Sequence, residues 1–107
     1  MKILKMNASM DMEIPGDKIS SFCRHWKVRE LALFGSALRT DFRPDSDVDI
    51  LVSFFDDTGW SLFDLVNMAD ELGSVFGRPV DLVEKEALRN PFRRESILST
   101  RKIIYAA

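Results

Sequence analysis

Apolar residues recur along this chain at two periods. Ile19, Phe22, Cys23 and Trp26 are spaced i, i+3, i+4, i+7, which puts them on one side of a helix. Asp17 is the expected cap of that helix, because a short side-chain oxygen can accept from the N–H groups left over at a helix start. Val28 to Phe34 reads as a buried strand broken by Gly35. Ser36 to Phe42 then reads as a short helix or helical turn, after which Pro44 and Asp45 turn the chain again. Val48 to Phe54 has the clearest period of two. Val48, Ile50, Val52 and Phe54 face one way, and Asp47, Asp49, Leu51 and Ser53 face the other.

Asp56, Asp57 and Gly59 make a loop, and Ser61 with Asp64 three residues on has the pattern of a capping box. The helix it opens is expected to turn Leu62, Leu65, Val66, Ala69, Leu72 and Phe76 inward and to stop at Gly77. Pro79 to Val83 is a third strand. Asn90 and Pro91 start a last helix running to Ser99, and Arg101 to Tyr105 adds a final short strand. This alternation predicts an α/β fold, α+β by strict class, with one small mixed sheet covered by helices. Met1 to Gly16 contains Asp11 and Glu13 and no sustained apolar stretch, so it reads as a flexible leader and not a signal peptide. Residues 17–107 are then a single domain.

Composition narrows the function. A length of 107 residues fits one domain with a modest core. The net charge of −2 argues against a dedicated nucleic-acid binder, which needs clustered Lys and Arg. It does not exclude nucleotides, whose phosphates a metal can bridge. Cys23 is the only cysteine, so no internal disulfide forms, and a cytoplasmic location fits best. No apolar run is long enough to span a membrane.

The informative chemistry is Phe34-Gly35-Ser36, then ten residues, then Asp47-Val48-Asp49. Two aspartates two apart on a strand share a face about 7 Å apart. Like charges at that spacing repel by roughly 2 kcal/mol at an effective dielectric near 20. A divalent cation between them reverses the sign, and Mg²⁺ commonly uses one or two carboxylates plus substrate phosphates. Asp81, on the third strand, can join the same face if that strand lies beside Val48 to Phe54. Three carboxylates suffice for a two-metal site, and Asp81 could also serve as general base. Gly35 lets the backbone approach a ligand. The N–H groups of Ser36 and Ala37, with the Ser36 hydroxyl, could hold a phosphate, and Arg39 and Arg43 are near enough in sequence to add positive charge.

Leu33-Phe34-Gly35-Ser36-Ala37-Leu38-Arg39, followed by Arg43-Pro44-Asp45-Ser46-Asp47-Val48-Asp49-Ile50-Leu51-Val52, resembles the Gly-Ser…Asp-x-Asp signature of the polymerase-β-type nucleotidyltransferases. The short length is similar to the minimal nucleotidyltransferase (MNT) family. The resemblance runs from Ile19 to Tyr105 and includes Gly77-Arg78-Pro79-Val80-Asp81-Leu82-Val83. It implies the polymerase-β-like fold, metal ligation by Asp47, Asp49 and Asp81, and nucleotide phosphates on Gly35 and Ser36. Many family members carry Gly-Ser-Arg-Ala-Arg-Gly; this chain departs from that pattern at Ala37 and Thr40. The resemblance also implies Mg²⁺ and ATP, and a HEPN ribonuclease toxin as partner, with the MNT protein as antitoxin transferring AMP to a tyrosine of the toxin.

Three function classes follow. The first is a Mg²⁺-dependent transferase of NMP to a protein hydroxyl. The second is a non-catalytic, nucleotide-binding antitoxin acting by contact. The third is an aminoglycoside-type transferase, ranked last because such enzymes usually carry an additional domain for the acceptor. A homo-oligomer is compatible with the sequence. His25 reads as a helix C-terminal residue, because no second His exists to complete a metal set. Cys23 and Tyr105 read as packed residues. Trp60 and Phe63 are open between core and partner contact.

Overall fold

The computed structural model describes residues 3–5, 13–38, 47–56 and 58–107. Strands β1 (Ile3–Lys5) and β2 (Glu13–Pro15) pair antiparallel as a sheet of their own. Helix α1 (Gly16–His25) follows directly. Strand β3 (Val28–Phe34) leads into a 3₁₀ turn over Gly35–Leu38. Strand β4 (Val48–Phe54), helix α2 (Leu62–Phe76) and strand β5 (Val80–Glu84) make a βαβ unit, with β5 parallel to β4. A 3₁₀ turn at Lys85–Ala87, helix α3 (Pro91–Thr100) and strand β6 (Lys102–Ala106) complete the chain. The main sheet has the order β5-β4-β3-β6, with β3 antiparallel to both β4 and β6.

Both faces of this sheet are covered. On one face Val28, Leu31, Leu33, Val48, Ile50, Val52 and Phe54 meet Ile19, Phe22 and Cys23 of α1 and Met68 and Leu72 of α2. On the other, Ala32, Phe34 and Leu51 meet Leu88 and Ile97. Burial on two sides explains why β4 is almost continuously apolar after Asp49. A register shift between Val28 and Glu30 lets Val28 join the first face although its parity matches Ala32 and Phe34.

The boundary signals act as expected at α2 and α3. Ser61 Oγ accepts from the Asp64 N–H while the Asp64 carboxylate accepts from the Ser61 N–H, and Gly77 closes the helix at φ 73°. Asn90 Oδ1 accepts from the N–H groups of Phe92 and Arg93. At α1 the expectation fails: the N-cap is Pro15, without a side-chain cap, and Asp17 lies in the first turn. Pro15 ends β2 in an extended conformation, so the helix starts one residue before Asp17, where the carboxylate still favours the positive helix end. Ile14, within the stretch read as a leader, is fully buried in the core.

The inward face of α2 also differs from expectation. Met68 and Leu72 are buried, with Leu65, Val75 and Phe76 packed against them, whereas Leu62 is 76% and Val66 53% exposed. Trp60 joins the core side, giving its indole N–H to the Trp26 carbonyl and meeting Trp26 edge to face. Phe63 is 82% exposed. Tyr105 is half-buried against the core.

Candidate active site

Three strands converge on one end of the sheet. Phe34, the last residue of β3, lies opposite Asp49 in β4, and Asp49 lies in register with Asp81 in β5. Residues in register on adjacent strands are about 4.8 Å apart and point to the same side. The Val48 N–H donates to the Pro79 carbonyl at 2.9 Å, which fixes the β5 register at the site end. Asp49 is half-buried, and Asp47 and Asp81 are exposed. The second sheet face is capped by Leu88 and Ile97 over Ala32, Phe34, Leu51 and Val83, so the carboxylates sit where that apolar cover gives way to solvent.

Gly35 is held against this group by geometry. Its φ is 59°, and a Cβ there would stand 2.6 Å from Oδ2 of Asp49. Any side chain would displace the carboxylate or the turn. Glycine therefore serves both the left-handed backbone and the close approach. The 3₁₀ turn Gly35–Leu38 overlaps the start of the helical turn expected over Ser36 to Phe42, whose remainder, with the turn at Pro44 and Asp45, lies outside the described residues. The Ser36 side chain, Arg39 and Arg43 lie outside the described residues.

Among the described residues no three His, Cys, Asp or Glu side chains form a ready metal cluster. The donors that do converge are carboxylates, which suit Mg²⁺ and not a thiolate- or imidazole-preferring metal. Mg²⁺ does not require an all-protein cage, since phosphate oxygens and water complete its shell. The donor set and the side-chain-free cradle at Gly35 fit a metal–nucleotide complex.

Other reactive groups fall away from this end. Burial pushes the Cys23 thiol up to about 12, with the Arg24 charge opposing weakly, so it is a packed residue and not a nucleophile. His25 packs edge to face on Trp26 at the end of α1.

Residues 17–104 match the nucleotidyltransferase domain family. The chain belongs to that family. It is a nucleotidyltransferase, and its mixed four-stranded sheet with the three α-helices among the described residues matches the minimal nucleotidyltransferase fold. The protein adenylyltransferase MntA of Thermococcus cleftensis is 36% identical over 78 residues, 73% of this chain and 74% of that protein. A solved structure of a proposed minimal nucleotidyltransferase superposes with a TM-score of 0.65 at 31% identity, over 80% of this chain and 85% of that one. A Shewanella oneidensis complex of a tri-AMPylated HEPN toxin with its MNT antitoxin shares the fold at TM-score 0.60 and 22% identity, over 86% of this chain and 70% of that one. No helix among the described residues is long and apolar enough to cross a membrane.

Sequence reasoning missed two features near the site. The first is the contact of Gly35 with the Asp49 carboxylate, which needs the β3–β4 register and has no local signal. The second is the apolar cover from Leu88 and Ile97, whose side of the sheet the sequence does not specify.

Proposed function

We propose that this nucleotidyltransferase moves AMP from ATP onto a hydroxyl of a protein and acts as antitoxin to a HEPN ribonuclease toxin. The observation that supports the chemistry is the register of Asp49 with Asp81 beside Gly35. The partner rests on the kinship with a protein adenylyltransferase and on the shared fold with an MNT antitoxin. Residues 17–107 serve as the catalytic domain, in the cytoplasm, where ATP is the donor.

In this reading Asp47 and Asp49 are the carboxylates that hold Mg²⁺ with the triphosphate, and Asp81 completes the set. When bound, Mg²⁺ supplies positive charge to the attacking and leaving oxygens of the phosphoryl transfer. Asp81, exposed and across from Asp49, accepts the proton of the acceptor hydroxyl. The acceptor oxygen forms a bond to the α-phosphorus as the bond to pyrophosphate breaks. Gly35 admits the phosphates to the backbone, with Ser36, Arg39 and Arg43 proposed as their further contacts.

The test is label transfer from ATP to a co-expressed HEPN protein. Asp47→Asn and Asp49→Asn should each lower transfer by roughly 100-fold or more while the fold survives. Mg²⁺ with ATP should raise the melting temperature of the wild type by mass action, and that of Asp49→Asn much less. Full transfer by either variant would remove these carboxylates from the mechanism. Inhibition of the toxin with no gain of adenylyl mass would favour an antitoxin acting by contact.

A further inference from the structure

The first turns of α2 carry an apolar surface that is left exposed among the described residues. Leu62 is 76%, Phe63 82% and Val66 53% exposed, and they stand at i, i+1 and i+4, on one side of the helix. Leu62 and Phe63 open the helix directly after Ser61, so the capping box that fixes the helix start also fixes where they project. Singly exposed apolar side chains are ordinary; three adjacent ones on one helix mark a contact surface.

The charge carried by this helix has one sign. Helix α2 contains Asp64, Asp70 and Glu71 and has no Lys, Arg or His. Asp70 is exposed and follows Val66 by one helical turn, so the apolar stripe runs straight into negative charge. Two copies meeting through this face would set acid against acid, which disfavours a symmetric dimer here. Helix α3 opens on the opposite charge, with exposed Phe92 and Arg93 in its first turn and exposed Arg89 just before its cap. Packing α2 of one copy on α3 of the next would be head-to-tail, a contact that closes only where its rotation happens to make a ring.

The surface also lies away from the carboxylates. Strand β4 runs from Val48 to Phe54, and α2 begins beyond its far end. Phe54 is about 17 Å along the strand from Asp49. A protein bound there leaves Asp47, Asp49 and Asp81 open to nucleotide.

We propose that Leu62, Phe63 and Val66 form the docking surface for the protein partner, whose contact face is apolar and rimmed by Lys or Arg. This rests on the partner reading under Proposed function. A ribonuclease must carry basic surface to bind RNA phosphates. An acidic rim with an apolar centre is the complement of such a face.

The experiment uses the full chain and a co-expressed HEPN protein, with binding measured by titration calorimetry. Phe63→Ser should weaken the complex at least tenfold, and Asp70→Lys should weaken it with a loss of salt dependence. Phe92→Ser serves as control and should leave binding unchanged. All three variants should keep the wild-type melting temperature and the wild-type shift on adding Mg²⁺ with ATP. If the wild type binds and Phe63→Ser binds equally well, the docking surface is wrong and the partner reading stands. If the wild type does not bind at all, both are wrong. If the free chain self-associates and Phe63→Ser abolishes that, the surface belongs to a second copy and the heterologous assignment is overturned.

Discussion

At Gly35 the backbone turns with φ 59°, and the position of a missing Cβ lies 2.6 Å from Oδ2 of Asp49. Two separate costs therefore attach to Gly35→Ala. An alanine in the left-handed region costs about 1–2 kcal/mol. The contact with the carboxylate adds to that and displaces the group proposed to hold metal. Gly35→Ala should lose about 2 kcal/mol or more of stability and most transfer activity. The two costs separate in a double-mutant cycle. In an Asp49→Ala background the carboxylate is gone while the backbone strain remains, so Gly35→Ala should cost about 1 kcal/mol less there. Denaturant melts of the four proteins check this; an equal cost in both backgrounds would place the whole effect in the backbone.

Among the elements, β3 and β4 were legible to the residue because their apolar runs are bounded by Gly35 and by charged or turn residues. α3 was legible from Asn90 and Pro91, whose capping chemistry is local. The parallel pairing of β4 with β5 was conditional in the sequence, because register between distant strands has no local signal. Helix α2 shows the limit most plainly. Its sequence offers Leu62, Leu65, Val66, Met68, Leu72, Val75 and Phe76, more apolar residues than one face needs, and hydrophobic periodicity alone admits more than one face. The core selects Met68 and Leu72, which leaves Leu62 and Val66 outside. Strands β1 and β2 are three residues each and carry no periodic signal. The expected energetic consequence is a contrast within one helix. Leu72→Ala should cost about 2–5 kcal/mol as a buried cavity, whereas Leu62→Ala should stay within about 0.5 kcal/mol. Urea midpoints of the two variants would show it, and comparable losses would mean that Leu62 packs in solution.

Across the whole molecule, the second sheet face treats carboxylates differently at its two ends. At the site end, Asp47 and Asp81 are exposed. At the opposite end, Glu30 is only 15% exposed at its side chain and is held by cations from two later segments: Arg101 Nε donates to it at 2.7 Å, and Lys85 Nζ lies at 3.5 Å. Beside it Ser53, the register partner of Glu30, donates its hydroxyl to Glu86 at 2.8 Å. Arg94 donates to the Lys85 carbonyl, and Arg101 also donates to the Leu98 carbonyl. This network ties β3 to the turn after β5 and to the start of β6, and so holds the α3 layer on the sheet. Burial raises the Glu30 pKa, but the Arg101 hydrogen bond and the Lys85 and Arg101 charges outweigh it and leave it below its ordinary value. Folded Glu30 therefore binds fewer protons than unfolded Glu30 in the acid range, so its contribution is present above the unfolded pKa and is lost as pH falls through the folded one. Glu30→Gln removes the charge and should cost about 1–2 kcal/mol near neutral pH. That gap between wild type and variant should hold steady above the ordinary glutamate range and shrink as pH falls below it, where wild-type Glu30 takes up its proton. Melts of both proteins across this range separate charge from packing, since other carboxylates titrate in both and cancel in the difference. A gap that stays constant into strong acid would mean that Glu30 holds the α3 layer by shape and neutral hydrogen bonding, without the ion pairs.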